Sequence, residues 1–205
     1  MDPRQRGISW DERFGGEEYL FGTAPARFLV AQAHHLPVAS RVLSVADGEG
    51  RNSTWLALQG HDVTAFDASP AGVEKARRLA TDRGVRVEHH VAAIEDWDWS
   101  RTFDAVVAIF IQVAPPDLRA RTFDWLGRAV RPGGLLFLHG YAPRQVGYGT
   151  GGPPKPENMY TEDMLARAFA DWEILRSNDY DADIDEGAGH SGRSALIDFV
   201  ARKPS

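Results

Sequence analysis

Short apolar runs and segments with apolar residues at helical spacing succeed one another along the first two thirds of this chain. The pattern predicts strands over 41–45 and 63–66, with helices over 52–59 and from Ser69 onward. Gly60 stops the first of these helices, while Ser69 caps the second and Pro70 fits its first turn, where no amide donor is needed. Val73, Ala76 and Ala80 or Leu79 form that helix's buried stripe. A short third strand follows over 85–89. The run 103–111 is the strongest strand signal, apolar and β-branched throughout, as suits a central strand buried on both faces. A helix over 117–130 presents Leu118, Phe123, Trp125, Leu126 and Ala129, and ends before a turn at Arg131, Pro132, Gly133 and Gly134. A strand over 135–139 comes next. Strands alternating with helices of this length predict an α/β protein whose twisted sheet is covered on both sides.

After Tyr141 the pattern changes. Residues 142–160 are rich in glycine and proline and carry no regular period; a loop of that length in a compact domain has work to do, and the substrate side of the site is where we place it. Thr161 caps a short helix through Phe169. Residues 172–181 and 194–201 then read as two strands joined by an acidic, glycine-rich connection. Without a crossover helix between them, they form an antiparallel pair at one edge of the sheet. No repeat or second domain is evident, so 1–205 reads as one domain. Residues 1–36 form a cover segment with a helix over 26–36, serving either as structural cover for a sheet edge or as a lid over a cofactor.

The chemistry begins at the glycine-rich stretch that follows the first strand, Ala46-Asp47-Gly48-Glu49-Gly50-Arg51-Asn52, with the second strand closing on Asp67. Gly48 and Gly50 let the chain turn tightly and a ligand approach backbone amides, while Asp67 accepts bonds from ribose hydroxyls. This order suits a nucleotide-like cofactor without choosing between NAD and S-adenosylmethionine. Two features weigh against NAD. Ser53 stands in the third glycine place of G-x-G-x-x-G, and the chain ends strand, helix, strand, strand instead of repeating a βαβαβ half. An NAD-dependent oxidoreductase remains the alternative reading.

Composition removes other classes. With 205 residues, 43% of them hydrophobic and 25% charged, the chain supports a sizeable core. Lys plus Arg number 23 against 29 for Asp plus Glu, a formal charge of −6, so a broad nucleic-acid surface is disfavoured. There is no cysteine, which excludes disulfides, thiolate nucleophiles and Cys-ligated metals within the chain. The first residues lack the apolar core of a signal peptide, and no apolar run approaches the ~20 residues that span a bilayer. A cytoplasmic protein without membrane attachment, monomeric or homodimeric, is the expectation. His34-His35 and His89-His90 lack metal-ligand spacing, and Asp179, Asp181, Asp183, Asp185 and Glu186 lack the ordered EF-hand pattern; they read as an exposed acidic loop, and no metal site is expected. Trp97 and Trp99 read as core contacts.

The whole chain resembles class I S-adenosylmethionine-dependent methyltransferases, and more closely their tellurite-resistance and thiopurine methyltransferase-like branch. The likeness is carried by Trp10-Asp11-Glu12-Arg13-Phe14, Tyr19-Leu20-Phe21-Gly22, the glycine loop, Asp67, Arg131-Pro132-Gly133-Gly134, Gly147-Tyr148-Gly149-Thr150-Gly151-Gly152-Pro153 and Gly189-His190-Ser191-Gly192-Arg193. The resemblance implies a Rossmann-like three-layer αβα sandwich with a seven-stranded, mostly parallel sheet and an antiparallel C-terminal strand. It also implies methyl transfer from S-adenosylmethionine to a heteroatom (S, Se, Te, O or N) of a small molecule. By the same resemblance Ala46, Asp47 and Gly48 line the methionine and ribose portions of the cofactor, Asp67 holds the ribose and Ala68 lies beside adenine. Ala93 and Ile94 form the adenine-contacting segment, Ile109 or Phe110 closes the pocket, and Arg13 and Tyr19 cover the methionine end.

Two departures from the family pattern bear on cofactor use. Ser44 stands where the family commonly has an acid, and Ala93 where it often has another, with Glu95 and Asp96 just after. A protein that binds or senses S-adenosylmethionine without catalysis is therefore a second alternative. On the acceptor side, His139, Tyr141, His190 and Arg193 are the candidate catalytic residues, with Arg144 and Tyr148 beside them. His139 and Tyr141 close a predicted strand where open α/β sheets place their ligands. A thiolate, selenide or oxyanion acceptor needs no base; an amine or phenol does, and histidine is poised for it. The acceptor expected is a small molecule, soft or anionic.

Overall fold

The structure, a computed structural model, describes residues 9–205. The first eight residues of the expected cover, among them the stretch read for a signal peptide, lie outside the described residues. Seven strands form one sheet: β1 Arg41–Val45, β2 Asp62–Asp67, β3 Glu88–Val91, β4 Phe103–Ile109, β5 Val130–Tyr141, β6 Glu173–Asp185 and β7 Ser191–Arg202. Their order is β3-β2-β1-β4-β5-β7-β6. The first five run parallel, and β7 pairs antiparallel with both β5 and β6. The α/β sandwich anticipated from the sequence is the fold observed, including its antiparallel end.

Strand residues alternate between two cores, which is why the central runs are apolar without interruption. Leu43, Val106, Ala108, Leu136 and Leu138 face the side covered by α5 (Pro116–Ala129) and α6 (Glu162–Ala168). Val42, Ala105, Val107, Leu135 and Phe137 face the side covered by α2 (Arg27–Gln32) and α3 (Arg51–Leu58). Trp97 stacks on Phe66 at 4.5 Å inside the first core, and Trp99 stacks on Trp125 at 5.9 Å beside it.

Several element boundaries differ from the sequence reading, each for a local reason. The third strand starts at Glu88 because the amide of Val85 still bonds Ala80 O, closing the end of α4 (Pro70–Asp82); pairing with β2 begins at Thr64↔Glu88. The helix expected over 26–36 gives way at Ala33 to a 3-10 turn through His35. The turn at 131–134 is a bulge within β5: Phe103 pairs with Val130 and Ala105 with Leu135, while Gly133 and Gly134 exchange bonds with Lys203. The acidic series 179–185 is strand and not loop. Asp179 and Asp181 pair with Arg144, and Arg193 lies 3.8 and 3.9 Å from Asp181 and Asp183. Residues 142–160 contain 3-10 turns at Pro143–Gly147 and Pro156–Asn158.

The short helix α1 (Trp10–Phe14) is held by a Ser9–Glu12 capping box, and Asp11 reaches across to cap α4. Asp11 Oδ1 accepts from Ser69 Oγ at 2.7 Å and from Ala71 N at 2.8 Å, bonds that hold its pKa below the usual carboxylate value. The close approach of α3 to α4 depends on Gly50. It has φ +88°, and a Cβ there would sit 2.6 Å from Ala76 Cβ. Gly50→Ala combines an unfavourable left-handed backbone with overpacking, so it should lower unfolding free energy by about 2 kcal/mol or more in denaturant titration. Gly60, also left-handed but with open space around it, serves as the control and should lose about 1 kcal/mol on the same substitution.

Candidate functional site

Strand order reverses direction at β1 and β4, and a cavity of about 330 Å³ opens over the carboxyl ends of the strands there. The segments leaving β1, β2, β3 and β4 each contribute to its wall. Of the ten residues assigned by resemblance to the cofactor, Ala46, Asp47, Gly48, Asp67, Ala68, Ala93, Ile94 and Ile109 line this cavity. Glu95 lines it as well, two residues beyond Ala93, where the family often has an acid.

Asp67 faces the cavity with each carboxylate oxygen taking one backbone bond: Gly48 N to Oδ2 at 2.8 Å and Ser69 N to Oδ1 at 2.9 Å. A lone pair on each oxygen remains for a ligand hydroxyl. Asp47 is held by Ser44 Oγ at 2.6 Å and by the amide and hydroxyl of Ser53. Burial pushes the Asp47 carboxyl up to about 6, against the opposing effect of the serine bonds. Burial also raises Asp67.

The cover is fastened down by buried charge. Glu49 Oε1 pairs with Lys75 Nζ at 2.7 Å, with both side chains almost fully buried. Glu49 Oε2 accepts from Leu20 N at 2.8 Å and Phe21 N at 3.4 Å, and Lys75 Nζ also donates to Glu18 O at 2.6 Å. Above the cavity, Trp10, Phe14 and Phe21 form an aromatic roof with centroids 5.4 to 6.2 Å apart. The turn between β6 and β7 closes against that roof. Gly189 N donates to Leu20 O at 3.1 Å, and a Cβ on Gly189 would lie 2.2 Å from the Phe21 ring.

A second chamber of about 290 Å³ adjoins the first and shares with it Trp10, Phe21, Phe110, Val113 and His190. Phe110 stands between them at φ +57°, a left-handed conformation that a bulky residue adopts only under constraint. Its ring packs on His190 at 4.2 Å, Tyr141 at 4.8 Å and His139 at 4.8 Å. Arg13 is the charged side chain in the wall of this chamber, and no carboxylate lines it among the described residues. His190 is buried against Phe21 and Phe110, and burial, aided by Arg51, His139 and Arg13, lowers its pKa to about 3. The Tyr141 hydroxyl is buried with no hydrogen-bond partner, and burial raises its pKa, so it stays protonated.

Five of the expected site residues or their neighbours lie elsewhere. Tyr19 is outside both chambers: its hydroxyl donates to Lys75 O at 3.2 Å and its ring receives Lys75 Nζ at 5.4 Å, so it braces the cover from behind. His139 is buried beneath Phe110, stacked on Phe28 at 4.8 Å with Nδ1 2.9 Å from Asp198 Oδ1, and it borders neither chamber. Its neighbour two residues on, Tyr141, does line the second chamber, at the end of β5, with the Phe110 ring packed on it at 4.8 Å. Arg193 is half-exposed on β7 and turned toward Asp181 and Asp183. Arg144 and Tyr148 also bind Asp181, at 2.8 and 2.7 Å, and thereby hold the loop 142–160 to β6. The sequence reading did not assign Arg51, Asn52 or Gln112 to the site, yet they line the chambers. Their signal was position alone: two close the glycine-rich stretch and one follows β4.

Residues 42–134 match the family model described as "Methyltransferase domain". The chain is 33% identical over 131 residues to the ubiquinone biosynthesis O-methyltransferase of Xanthomonas axonopodis pv. citri, covering 63% of this chain and 54% of that protein. The counterpart of Xylella fastidiosa strain 9a5c is also 33% identical, over 132 residues. The chain thus spans about half the length of the curated relatives it matches. Among solved structures, one from a study of the conversion of a disulfide bond into a thioacetal group during echinomycin biosynthesis superposes with a TM-score of 0.75 at 23% identity, over 95% of this chain and 88% of that one. TehB from Haemophilus influenzae gives 0.68 at 19% identity, over 86% and 61%. The fold is that of the class I S-adenosylmethionine-dependent methyltransferases.

Proposed function

We propose that the protein transfers a methyl group from S-adenosylmethionine to a heteroatom of a small molecule, and that it belongs to the tellurite-resistance and thiopurine methyltransferase-like branch. The observation that carries this reading is the pair of adjoining chambers, one over Asp67 and the glycine loop, the other walled by Phe110, Tyr141 and His190. The likeness to TehB supports the branch, and the match of 42–134 to a methyltransferase-domain model supports the donor.

The bound donor supplies an activated methyl on a sulfonium, so the chain's own task is alignment and exclusion of water. Asp67 and the Gly48 amide shape the ribose end, while Trp10, Phe14 and Phe21 close the roof. The donor would give its methyl to the acceptor's lone pair and leave as the neutral thioether. No carboxylate lines the acceptor chamber among the described residues, so a cationic amine finds no counter-charge from them there, whereas Arg13 favours an anion. His190, neutral with its low pKa, is a poor proton store. The acceptor that fits is soft or anionic, a thiolate or an acidic hydroxyl on an apolar body, which arrives already ionised. Tyr141 donates a hydrogen bond to it.

Three outcomes follow. Calorimetry should detect binding of S-adenosylmethionine and S-adenosylhomocysteine but not NAD, and Asp67→Asn should weaken both about ten- to a hundredfold; folded protein that binds neither sulfur compound overturns the proposal. Donor affinity should also depend on pH. The Asp47 carboxyl, raised to about 6, is neutral in the folded protein below that value, so the cationic donor binds better as pH rises through it. Affinity should therefore increase several-fold between pH 5 and pH 7.5, more for S-adenosylmethionine than for its uncharged-sulfur product, and Asp47→Asn should flatten that slope. Thirdly, kcat/KM for a series of thiols should break at each thiol's own pKa. A common break near 6.5 for all acceptors would instead assign the proton to an ordinary imidazole.

A further inference from the structure

Arg51 opens α3 directly after the left-handed Gly50 and borders the donor cavity. Its side chain is 8% exposed. Nη2 donates to Glu186 Oε2 at 2.8 Å, while Nη1 is buried without a hydrogen-bond partner among the described residues. Buried guanidinium groups are ordinarily satisfied on every edge, because a bare N–H forfeits its hydration with no return. A site for an oxyanion is what such an edge lacks.

The sheet order says which end of the donor lies there. Asp67, Ala68 and 92–95 leave β2 and β3, on one side of β1. Glu186 and His190 belong to the turn between β6 and β7, on the other side, beyond β4. Arg51 therefore faces the end of the cavity away from the adenine segment and next to the acceptor chamber. The N-terminus of α3 adds its own positive potential. Of the other charged or titratable groups near Arg51, Glu186 neutralises one unit of charge, His190 is neutral, Asp47 carries its serine bonds, and Arg13 is positive.

Glu186 does more than pair with Arg51. Its Oε1 accepts from Arg27 N at 3.1 Å, and its amide donates to His190 O at 2.8 Å, closing the turn that carries the imidazole. We propose that Arg51 Nη1 receives the α-carboxylate of the donor's amino-acid end, and that Glu186, on the other edge of the same guanidinium, transmits that contact to the turn holding His190 against the acceptor chamber. The proposal rests on the donor reading above and adds to it a receptor and a coupling: the acceptor wall is ordered by the donor's amino-acid end. Arg51 and Glu186 would then be a binding residue and a positioning residue, respectively.

The test separates the two readings by the ligands chosen. 5′-Methylthioadenosine keeps the adenosine and the thioether but lacks the amino-acid end, whereas S-adenosylhomocysteine has both. Wild type should prefer S-adenosylhomocysteine by about tenfold or more, and Arg51→Gln should abolish that preference while binding 5′-methylthioadenosine as wild type does. A preference unchanged in Arg51→Gln overturns the carboxylate assignment. Should the variant fail to fold, decarboxylated S-adenosylmethionine tests the same contact on wild type: about tenfold weaker binding than S-adenosylmethionine supports it, and equal binding overturns it. For the coupling, amide hydrogen exchange at 186–190 should slow with S-adenosylhomocysteine and not with 5′-methylthioadenosine; equal protection by both overturns it. Failure of wild type to bind any adenosyl sulfur compound is a different result, and it falls on the donor reading itself.

Discussion

Two carboxylates buried under the cover hold the site together. Glu49 ties the glycine loop to Lys75 of α4 and, through its second oxygen, to the amides of Leu20 and Phe21. Glu186 ties the start of α3 to the amide of Arg27. In each case one oxygen takes a cation and the other a backbone donor, so the charge is compensated on both edges. That is the condition under which a buried ion pair is tolerable, and breaking one partner typically costs about 3–5 kcal/mol. The consequence reaches beyond stability. A cover fixed by such bonds is a built roof, with Phe14 pressed against Gly48 and Gly72, and not a strap free to swing over its whole length.

Strain is placed where the two chambers meet the sheet. Ala46 and Phe110, each at the end of a central strand, both adopt positive φ. Ala46 turns the chain so that Asp47 and Gly48 present their polar groups upward. Phe110 turns so that its ring leaves the core and becomes a partition. The surrounding contacts over-determine these conformations: Phe110 N donates to His139 O at 2.8 Å and its ring is packed by three others. Bending the backbone at the switch point converts two ordinary strand ends into the floor of one chamber and the wall of another.

Periodicity made most of the sheet legible, because strands buried on both faces leave long apolar runs and helices leave stripes. It could not show that the acidic series 179–185 is strand, since those carboxylates are paired with arginines distant in sequence. The same limit explains the residues expected on the acceptor side. His139 and Tyr141 share a strand face by spacing and both pack on Phe110, but Tyr141 alone of the two lines a chamber, and nothing in the local sequence announces a left-handed phenylalanine. Tyr19 followed the same course: its neighbours Trp10 and Phe21 face the cavity, while Lys75 draws its ring behind the cover. Arg51 was visible as part of the glycine-loop motif, yet its buried partner Glu186 lies 135 residues away.

The departures at Ser44 and Ala93 fall into place once the loop is seen in three dimensions. Ser44 does not leave a hole where an acid is expected. Its hydroxyl donates to Asp47 at 2.6 Å, so the negative charge has moved three residues along, from the strand into the turn. Glu95 lines the cavity near Ala93 in a similar way. A carboxylate held in a buried serine cage has a charge that depends on conditions, because desolvation outweighs the hydroxyl bonds and raises its pKa. Two substitutions that look in the sequence like losses of affinity therefore act differently in the fold. An acidic side chain lies close to each position, Asp47 bonded to Ser44 and Glu95 two residues beyond Ala93, and burial raises the pKa of the first.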